Sequence, residues 1–218
     1  MKMKVLGVVG QAGTGKSTAV AMIGALGAEV IDADRVAREI MVPPSPLLAD
    51  VEREFGDSVL HEDGGLDREA LAAICFSSRE DLRRLNAIVH PALKDEVERR
   101  LHRIRERPQP PRLAVIDAAV LIESGMVQLV DHVLLCVVQR KEIQIERLSR
   151  RMGVKPEEAE QRIACQADED SLRARADYVI DTTDGPDSYR EDVQRFFYHL
   201  SEGVPARYGV SSCRKTES

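Results

Sequence analysis

Apolar positions along the chain fall into short continuous runs that are separated by longer segments with helical spacing. A short apolar run is typical of a strand that is buried on both faces, whereas apolar residues three and four apart indicate a helix. The predicted strands cover 5–9, 29–31, 113–116, 132–138 and 178–180. Because helical patterns separate them, the sequence predicts an α/β protein in which helices cover both faces of a five-stranded parallel sheet.

The segment between the second and third predicted strands has four helical patterns and no convincing strand. Proline-rich stretches bound it at 43–46 and at 108–111. We therefore expect an inserted helical subdomain. Its last helix is predicted to begin at Pro91 and to end near residue 107, since the first helical turn tolerates a proline that has no N–H group.

Three further helices are predicted after the fourth strand, at 142–152, at 156–167 and near 188–200, followed by a polar tail that is expected to be partly disordered. In the first of them, Ile145, Leu148 and Met152 share one face, and Gln144, Arg147 and Arg151 lie on another.

The strongest chemical signal is the stretch from Gly10 to Ser17, which reads GQAGTGKS and satisfies the pattern G-x-x-x-x-G-K-[ST]. It lies between a predicted strand and a helix that ends at Gly27, which is the context that a phosphate-binding P-loop requires. Lys16 is expected to reach the β- and γ-phosphates of ATP, and Ser17 to place its hydroxyl on Mg²⁺. The predicted nucleotide-binding residues are Gly13, Thr14, Gly15, Lys16, Ser17 and Thr18.

Acidic residues follow two of the predicted strands. Asp117 ends the third strand, where P-loop proteins hold an acidic residue near Mg²⁺, although a strand-end cap would look the same. Asp32 and Asp34 end the second strand, and in extended geometry both carboxylates would point to one side of the sheet. Either could accept a hydroxyl proton, and either could cap the next helix. Spacing alone does not choose between them.

The basic residues of the helix at 142–152 suggest a lid. Arg147 and Arg151 are four apart and could clamp the oxygens of a phosphoryl group, with Arg140 and Arg150 as nearby alternatives. A solvated basic face would have the same sequence pattern.

Composition excludes several classes of protein. The chain has 218 residues and a formal charge of −6, which argues against a general affinity for nucleic acid. No apolar stretch approaches the roughly 20 residues that span a membrane. The cysteines are far apart, and neither they nor the histidines have metal-site spacing. The sequence predicts a cytoplasmic protein.

Several motifs in order resemble those of the dephospho-CoA kinase family, which completes coenzyme A synthesis. They are GQAGTGKST at 10–18, LGAEVIDADRVAR at 26–38, FGDSVL at 55–60, DGGLDR at 63–68, LNAIVHP at 85–91, VLIESG at 120–125, QIERLSRR at 144–151, Gln166, and AD-x-VID at 176–181. Each motif after the P-loop is weak by itself, but the ordered set is specific and extends to about residue 200.

The resemblance implies a P-loop core over 1–41 and 113–200, with a lid at about 140–168, an acceptor-binding helical subdomain over 42–112, and a tail over 201–218. It also implies ATP and Mg²⁺ as cofactors and dephospho-CoA as the acceptor. In that family the second aspartate of the D-A-D motif lies by the ribose 3′-hydroxyl, which favours Asp34 over Asp32. Arg147 and Arg151 match the lid arginines, and the acceptor side would include Arg38, Arg68 and His90.

Four places depart from the family pattern. Gln11–Ala12 replaces a common Gly-Ile, Val9 replaces a frequent Thr, Ala119 replaces Pro, and Thr182–Thr183 replaces a usual Asn. None removes a proposed catalytic group. A kinase of another small hydroxyl compound remains an alternative, as does a nucleotide-dependent switch protein, although the N-K-x-D signature of GTPases is absent.

Overall fold

A computed structural model describes residues 2–203 and 211–212 of the chain. Its sheet has the strand order β2-β3-β1-β4-β5-β6. The strands are β1 Lys4–Val9, β2 Glu29–Asp32, β3 Leu113–Asp117, β4 His132–Val137, β5 Tyr178–Asp181 and β6 Ser211–Ser212. The five predicted strands are confirmed and are mutually parallel, while β6 pairs antiparallel with β5 at the sheet edge. This short sixth strand was not predicted.

Helices fill the connections between the parallel strands. They are α1 Lys16–Ala25, α2 Ala33–Glu39, α3 Pro46–Phe55, α4 Arg68–Ser77, α5 Arg79–Arg105, α6 Lys141–Met152, α7 Pro156–Ala164, α8 Glu169–Arg173 and α9 Pro186–Glu202. Two 3₁₀ turns lie at Asp57–Val59 and Met126–Leu129. The prediction of a partly disordered tail concerns residues that mostly lie outside those described.

The sheet has an apolar core on each face because neighbouring residues of a strand point to opposite sides. In β1, Val5 and Val9 face the cluster that contains α2 and α5, whereas Leu6 and Val8 face the cluster that contains α1 and α9. The core residues of both clusters are buried under helices, as expected for a parallel sheet. The predicted α/β P-loop architecture is confirmed.

Two smaller apolar clusters lie away from the sheet. One joins α3, α4 and the first half of α5 around Val51, Val59 and Leu71. The other joins α6 and α7 around Leu148, Ala159 and Ile163. These clusters agree with a helical insertion and a helical lid, although the domain boundaries stay a prediction.

The start of α5 was predicted wrongly. Pro91 lies inside a helix of 27 residues and does not begin it. The helix begins after Ser78, whose side chain accepts a hydrogen bond from the Asp81 N–H at 3.2 Å. This cap, with Glu80 and Asp81 in the first turn, is a stronger start signal than the proline.

One face of α6 also differs from the prediction. Leu148 is buried as expected, but Met152 is exposed and Gln144 is buried. The amide of Gln144 is buried because it is hydrogen-bonded to the loop after β1, which no helical pattern could reveal.

Candidate active site

The loop between β1 and α1 has the backbone conformation that its glycines permit. Gly13 has φ 84° and Gly15 has φ 74°, values that a residue with a Cβ rarely adopts. Gly15 caps α1, so the free N–H groups of the first helical turn open toward the same side as the loop. A helix N-terminus of this kind favours an anion such as phosphate.

Lys16, the lysine of the loop, forms an ion pair with the Asp117 carboxylate. Each of the two side chains is 15% exposed, so solvent screens this pair less than a surface pair. The pair forms because β1 and β3 are neighbours in register, with Val8 opposite Asp117. The site therefore holds its lysine in place without a ligand.

The two aspartates after β2 have separate positions. Asp32 lies opposite Asp117 in the sheet, and its carboxylate caps α2 by accepting a hydrogen bond from the Arg35 N–H at 3.0 Å. Asp34 lies in the first turn of α2 and is not in a strand. The expectation that both carboxylates share one side of an extended strand is therefore wrong, and the cap belongs to Asp32.

Asp34 is exposed but faces the cavity, so nearby protein replaces part of the water around its carboxylate. This desolvation raises the pKa of Asp34 above the ordinary 3.8. The nearby charge of Lys16 opposes the rise, while the negative charges of Asp32 and Asp117 add to it. A carboxylate with a raised pKa is a better proton acceptor than an ordinary aspartate.

A cavity of about 680 Å³ lies between the P-loop, α2, α5 and α6. Among the predicted site residues, its walls include Gly13, Gly15, Lys16, Ser17, Thr18, Asp34, His90, Arg147 and Arg151. Thr14 is outside this lining, since its side chain is buried and donates to the Gln11 carbonyl at 2.8 Å. Asp117 is also outside the lining and contacts Lys16 from behind.

The two arginines of α6 line the cavity in different ways. Arg147 is half-buried, and its guanidinium donates to the carbonyl oxygens of Thr182 at 2.9 Å and Thr183 at 2.8 Å. Arg151, one turn later, is exposed to the cavity. Arg147 is therefore oriented by the backbone after β5, while Arg151 keeps its side-chain freedom.

Arg38 and Arg68 are neighbours at the surface and lie outside the cavity lining. The Arg38 Nε donates to the Asp34 carbonyl at 3.2 Å, and the Arg68 guanidinium donates to the Arg38 carbonyl at 3.4 Å. Arg38 thus lies beside the backbone of Asp34, and the Arg68 guanidinium lies beside the backbone of Arg38, one helical turn further along α2. An acceptor with its own phosphates could reach them from the cavity.

His90 lines the cavity from helix α5. Burial lowers the pKa of His90 below its ordinary value, although a hydrogen bond to the Glu123 backbone opposes that change. Its imidazole is therefore neutral near pH 7.

The cavity also contains residues for which no site role was predicted, although Asn86, Glu123 and Gln166 belong to the motifs that carry the family resemblance. They include Asn86, Glu123, Cys165, Gln166 and Leu172. Asn86 precedes His90 by four residues, so the helical spacing of LNAIVHP could have revealed it. Glu123 and Cys165 come from loops, for which no periodic signal exists. The other described cysteines, Cys75 and Cys136, are buried, and burial raises the pKa of the Cys136 thiol to about 12.

The donor set of the cavity fits Mg²⁺ bound mainly through a nucleotide. Among the described residues, no three His, Cys, Asp or Glu side chains are grouped as a metal cage. Mg²⁺ normally needs only one or two protein ligands beside phosphate and water. The exposed Ser17 hydroxyl and the Asp117 carboxylate are oxygen donors of this kind.

No helix among the described residues is long and apolar enough to span a membrane.

Comparison with known proteins identifies the family. The model of the family described as dephospho-CoA kinase matches residues 4–187. The chain belongs to the dephospho-CoA kinase family.

Named members of the dephospho-CoA kinase family are similar over most of their length. The dephospho-CoA kinase of Symbiobacterium thermophilum is 41% identical over 192 residues, which cover 88% of this chain and 79% of the relative. That of Anaeromyxobacter dehalogenans is 39% identical over 201 residues, which cover 92% and 94%.

Solved structures share the fold of this chain. A Thermus thermophilus protein is 29% identical with a TM-score of 0.73, and the alignment covers 94% of this chain and all of the other. The dephospho-CoA kinase from Campylobacter jejuni is 22% identical with a TM-score of 0.68, and the alignment covers 92% and 98%. At that identity, the second likeness shows the fold of the dephospho-CoA kinase family but not its substrate.

Proposed function

We propose that this protein transfers the γ-phosphoryl group of ATP to the ribose 3′-hydroxyl of dephospho-CoA, giving coenzyme A and ADP. The observation that carries the proposal is one cavity that holds both a P-loop and, across from it, the carboxylate of Asp34. Family membership supplies the acceptor.

The donor side would bind the triphosphate of ATP. The loop N–H groups and the start of α1 would surround the phosphates, as in other P-loops. Lys16 would exchange its contact with Asp117 for the β- and γ-phosphates. Mg²⁺, held by Ser17 and by Asp117 directly or through water, would neutralise phosphate charge when bound.

Asp34 would orient the 3′-hydroxyl and accept its proton. The new bond joins the 3′-oxygen to the γ-phosphorus, the bond from that phosphorus to ADP breaks, and the proton moves to the Asp34 carboxylate. The raised pKa of Asp34 supports this role. Arg147 and Arg151 would neutralise charge on the moving phosphoryl group.

The acceptor would be held by the helical segment. Arg38, which contacts the Asp34 backbone, and Arg68, which contacts Arg38, would attract the diphosphate of dephospho-CoA, and His90 would contact the acceptor from α5. In this proposal, 42–112 is the acceptor-binding subdomain and 140–168 is the lid, both attached to a core of 1–41 and 113–200. A cytoplasmic location belongs to the proposal because ATP·Mg²⁺ is the donor, and the charge of −6 favours no nucleic-acid partner.

The test is ADP release with ATP and Mg²⁺, measured with and without dephospho-CoA, together with mass detection of the product. We expect ADP release to depend on the acceptor and coenzyme A to accumulate in equal amount, since lid closure excludes water. Adenosine and other nucleosides serve as control acceptors. ADP release that ignores every acceptor would identify a P-loop ATPase and overturn the proposal.

A further inference from the structure

Hydrogen bonds made by three glutamine side chains join the P-loop to the lid. The Gln144 amide of α6 donates to the Gln11 side-chain oxygen at 3.2 Å and to the Ala12 carbonyl at 2.9 Å. The Gln166 side-chain oxygen accepts from the Ala12 N–H at 2.7 Å. The Gln11 amide donates to the Ala167 carbonyl at 3.0 Å. We call Gln11, Gln144 and Gln166 the amide clasp.

Backbone and apolar contacts reinforce the amide clasp. A Cβ on Gly13 would lie 2.6 Å from the Gln144 carbonyl oxygen, so α6 rests directly on the P-loop backbone. The Ala12 side chain packs against the apolar cluster of α6 and α7, which includes Leu148. The lid therefore uses the P-loop as part of its own core.

Gln144 of the amide clasp lies on the face of α6 that carries the lid arginines. Gln144 is followed by Arg147 after three residues and by Arg151 after seven, which places all three on one side of α6. A shift of α6 on the P-loop would consequently move both guanidinium groups relative to Gly13 and Lys16. Such displacement is costly for phosphoryl transfer, because catalysis depends on charge positioned in advance.

We propose that the amide clasp positions Arg151 over the transferring phosphoryl group, with Gln166 and Gln11 as positioning residues, while Arg147 is oriented separately by the carbonyls of Thr182 and Thr183. This inference rests on the proposed function, since it assumes the role given there to Arg151. It assigns a task to Gln11, where the family pattern commonly has glycine, and to Gln166, whose side-chain oxygen accepts a hydrogen bond from the P-loop. The amide clasp acts on the rate of transfer and leaves nucleotide affinity nearly unchanged.

The test is a double-mutant cycle of Gln166→Met and Arg151→Ala. Methionine keeps the length of Gln166 but lacks its oxygen, and Gln166 is exposed, so the fold should tolerate the change. We expect Gln166→Met to lower kcat roughly tenfold and to change KM for ATP by less than about twofold. In the Arg151→Ala background it should cost less than about twofold, because the arginine on which it acts is gone.

Two further measurements separate positioning from a general structural effect. Hydrogen exchange in the ligand-free protein should show faster exchange of the Ala12 N–H in Gln166→Met, with an unchanged thermal midpoint. Gln161→Met, an exposed glutamine of α7 outside the cavity lining, is the matched control and should behave as the wild type.

The outcomes distinguish the two proposals. The amide-clasp proposal would be overturned if Gln166→Met had the wild-type kcat, or if it lowered kcat equally in the wild-type and Arg151→Ala backgrounds. In either case the proposed function would stand, provided that Arg151→Ala itself lowers kcat. Wild-type kcat in Arg151→Ala would overturn the assigned role of that arginine and the amide clasp together. Acceptor-independent ADP release by the wild type would overturn the proposed function.

Discussion

On the phosphate side of the cavity Lys16 and Arg147 are paired within the protein, whereas on the acceptor side the charged groups lie at the surface. Lys16 contacts Asp117, and Arg147 contacts two backbone carbonyls. Asp34, Arg38 and Arg68 are all exposed. The nucleotide side is therefore preorganised, while the acceptor side must be ordered by its ligand, at a cost in binding free energy.

This difference teaches how one cavity can favour transfer over hydrolysis. A rigid phosphate side fixes where the γ-phosphoryl group lies, and an acceptor side that is completed only by the substrate delays the reaction until a hydroxyl is present. Substitutions on the two sides should consequently affect different kinetic constants.

The largest effect is expected for Asp34→Asn, which removes the proton acceptor and keeps the shape of the side chain. We expect kcat to fall by about 10²–10⁴ while the Kd for ATP changes little, because Asp34 belongs to the acceptor side. Steady-state kinetics and calorimetric titration with ATP measure the two quantities. A variant with wild-type kcat would show that Asp34 takes no part in proton transfer, and a large loss of ATP affinity would erase the distinction between the two sides.

A smaller effect is expected for Arg38→Met and for Arg68→Met. Each should raise KM for dephospho-CoA roughly three- to tenfold and leave KM for ATP unchanged, since an exposed cation contributes little even to a charged partner. Arg35→Met is the matched control, because Arg35 is exposed on the same helix as Arg38 and pairs with Glu39. If both variants raise KM for ATP instead, the two arginines belong to the donor side.

The smallest effect concerns pH. Since desolvation raises the pKa of Asp34, the acidic limb of kcat/KM should have its midpoint above 3.8, the ordinary value for aspartate. This limb should vanish in Asp34→Asn and persist in His90→Gln, which removes the histidine of the cavity wall, whose pKa is lowered. A limb that is retained in Asp34→Asn and lost in His90→Gln would assign the proton to His90.

The same shift has a consequence for stability with a definite sign. A carboxyl group whose pKa is higher in the folded than in the unfolded state binds its proton more tightly in the folded state. Its contribution to the free energy of unfolding is therefore complete below pH 3.8 and is lost as the pH rises through the folded pKa. Asp34→Asn should therefore raise the thermal midpoint slightly near pH 7. A lower midpoint would show that Asp34 stabilises the fold in its charged form.

Much of the fold could be predicted because its signals are local. The five parallel strands and the turns at Gly13 and Gly15 can be recognised from neighbouring residues alone. The error at Pro91 also has a local cause, because the cap at Ser78 was overlooked in favour of a proline that a long helix tolerates. The role of Thr182 could not be predicted for a different reason. Its hydroxyl donates to the Thr14 carbonyl at 2.7 Å, and these two residues are 168 positions apart in the sequence.

For the candidate site, the sequence predicted which residues take part better than it predicted which residues contact one another. The sequence by itself determined the P-loop, the α/β order of elements and the acidic residues at strand ends, because these depend on spacing along the chain. Only the tertiary structure decided that Asp32 caps while Asp34 faces the cavity, that Lys16 meets Asp117, and that Gln166 meets Ala12. The last two pairs are separated by 101 and 154 residues, so strand order and lid packing bring them together, and no local pattern records that.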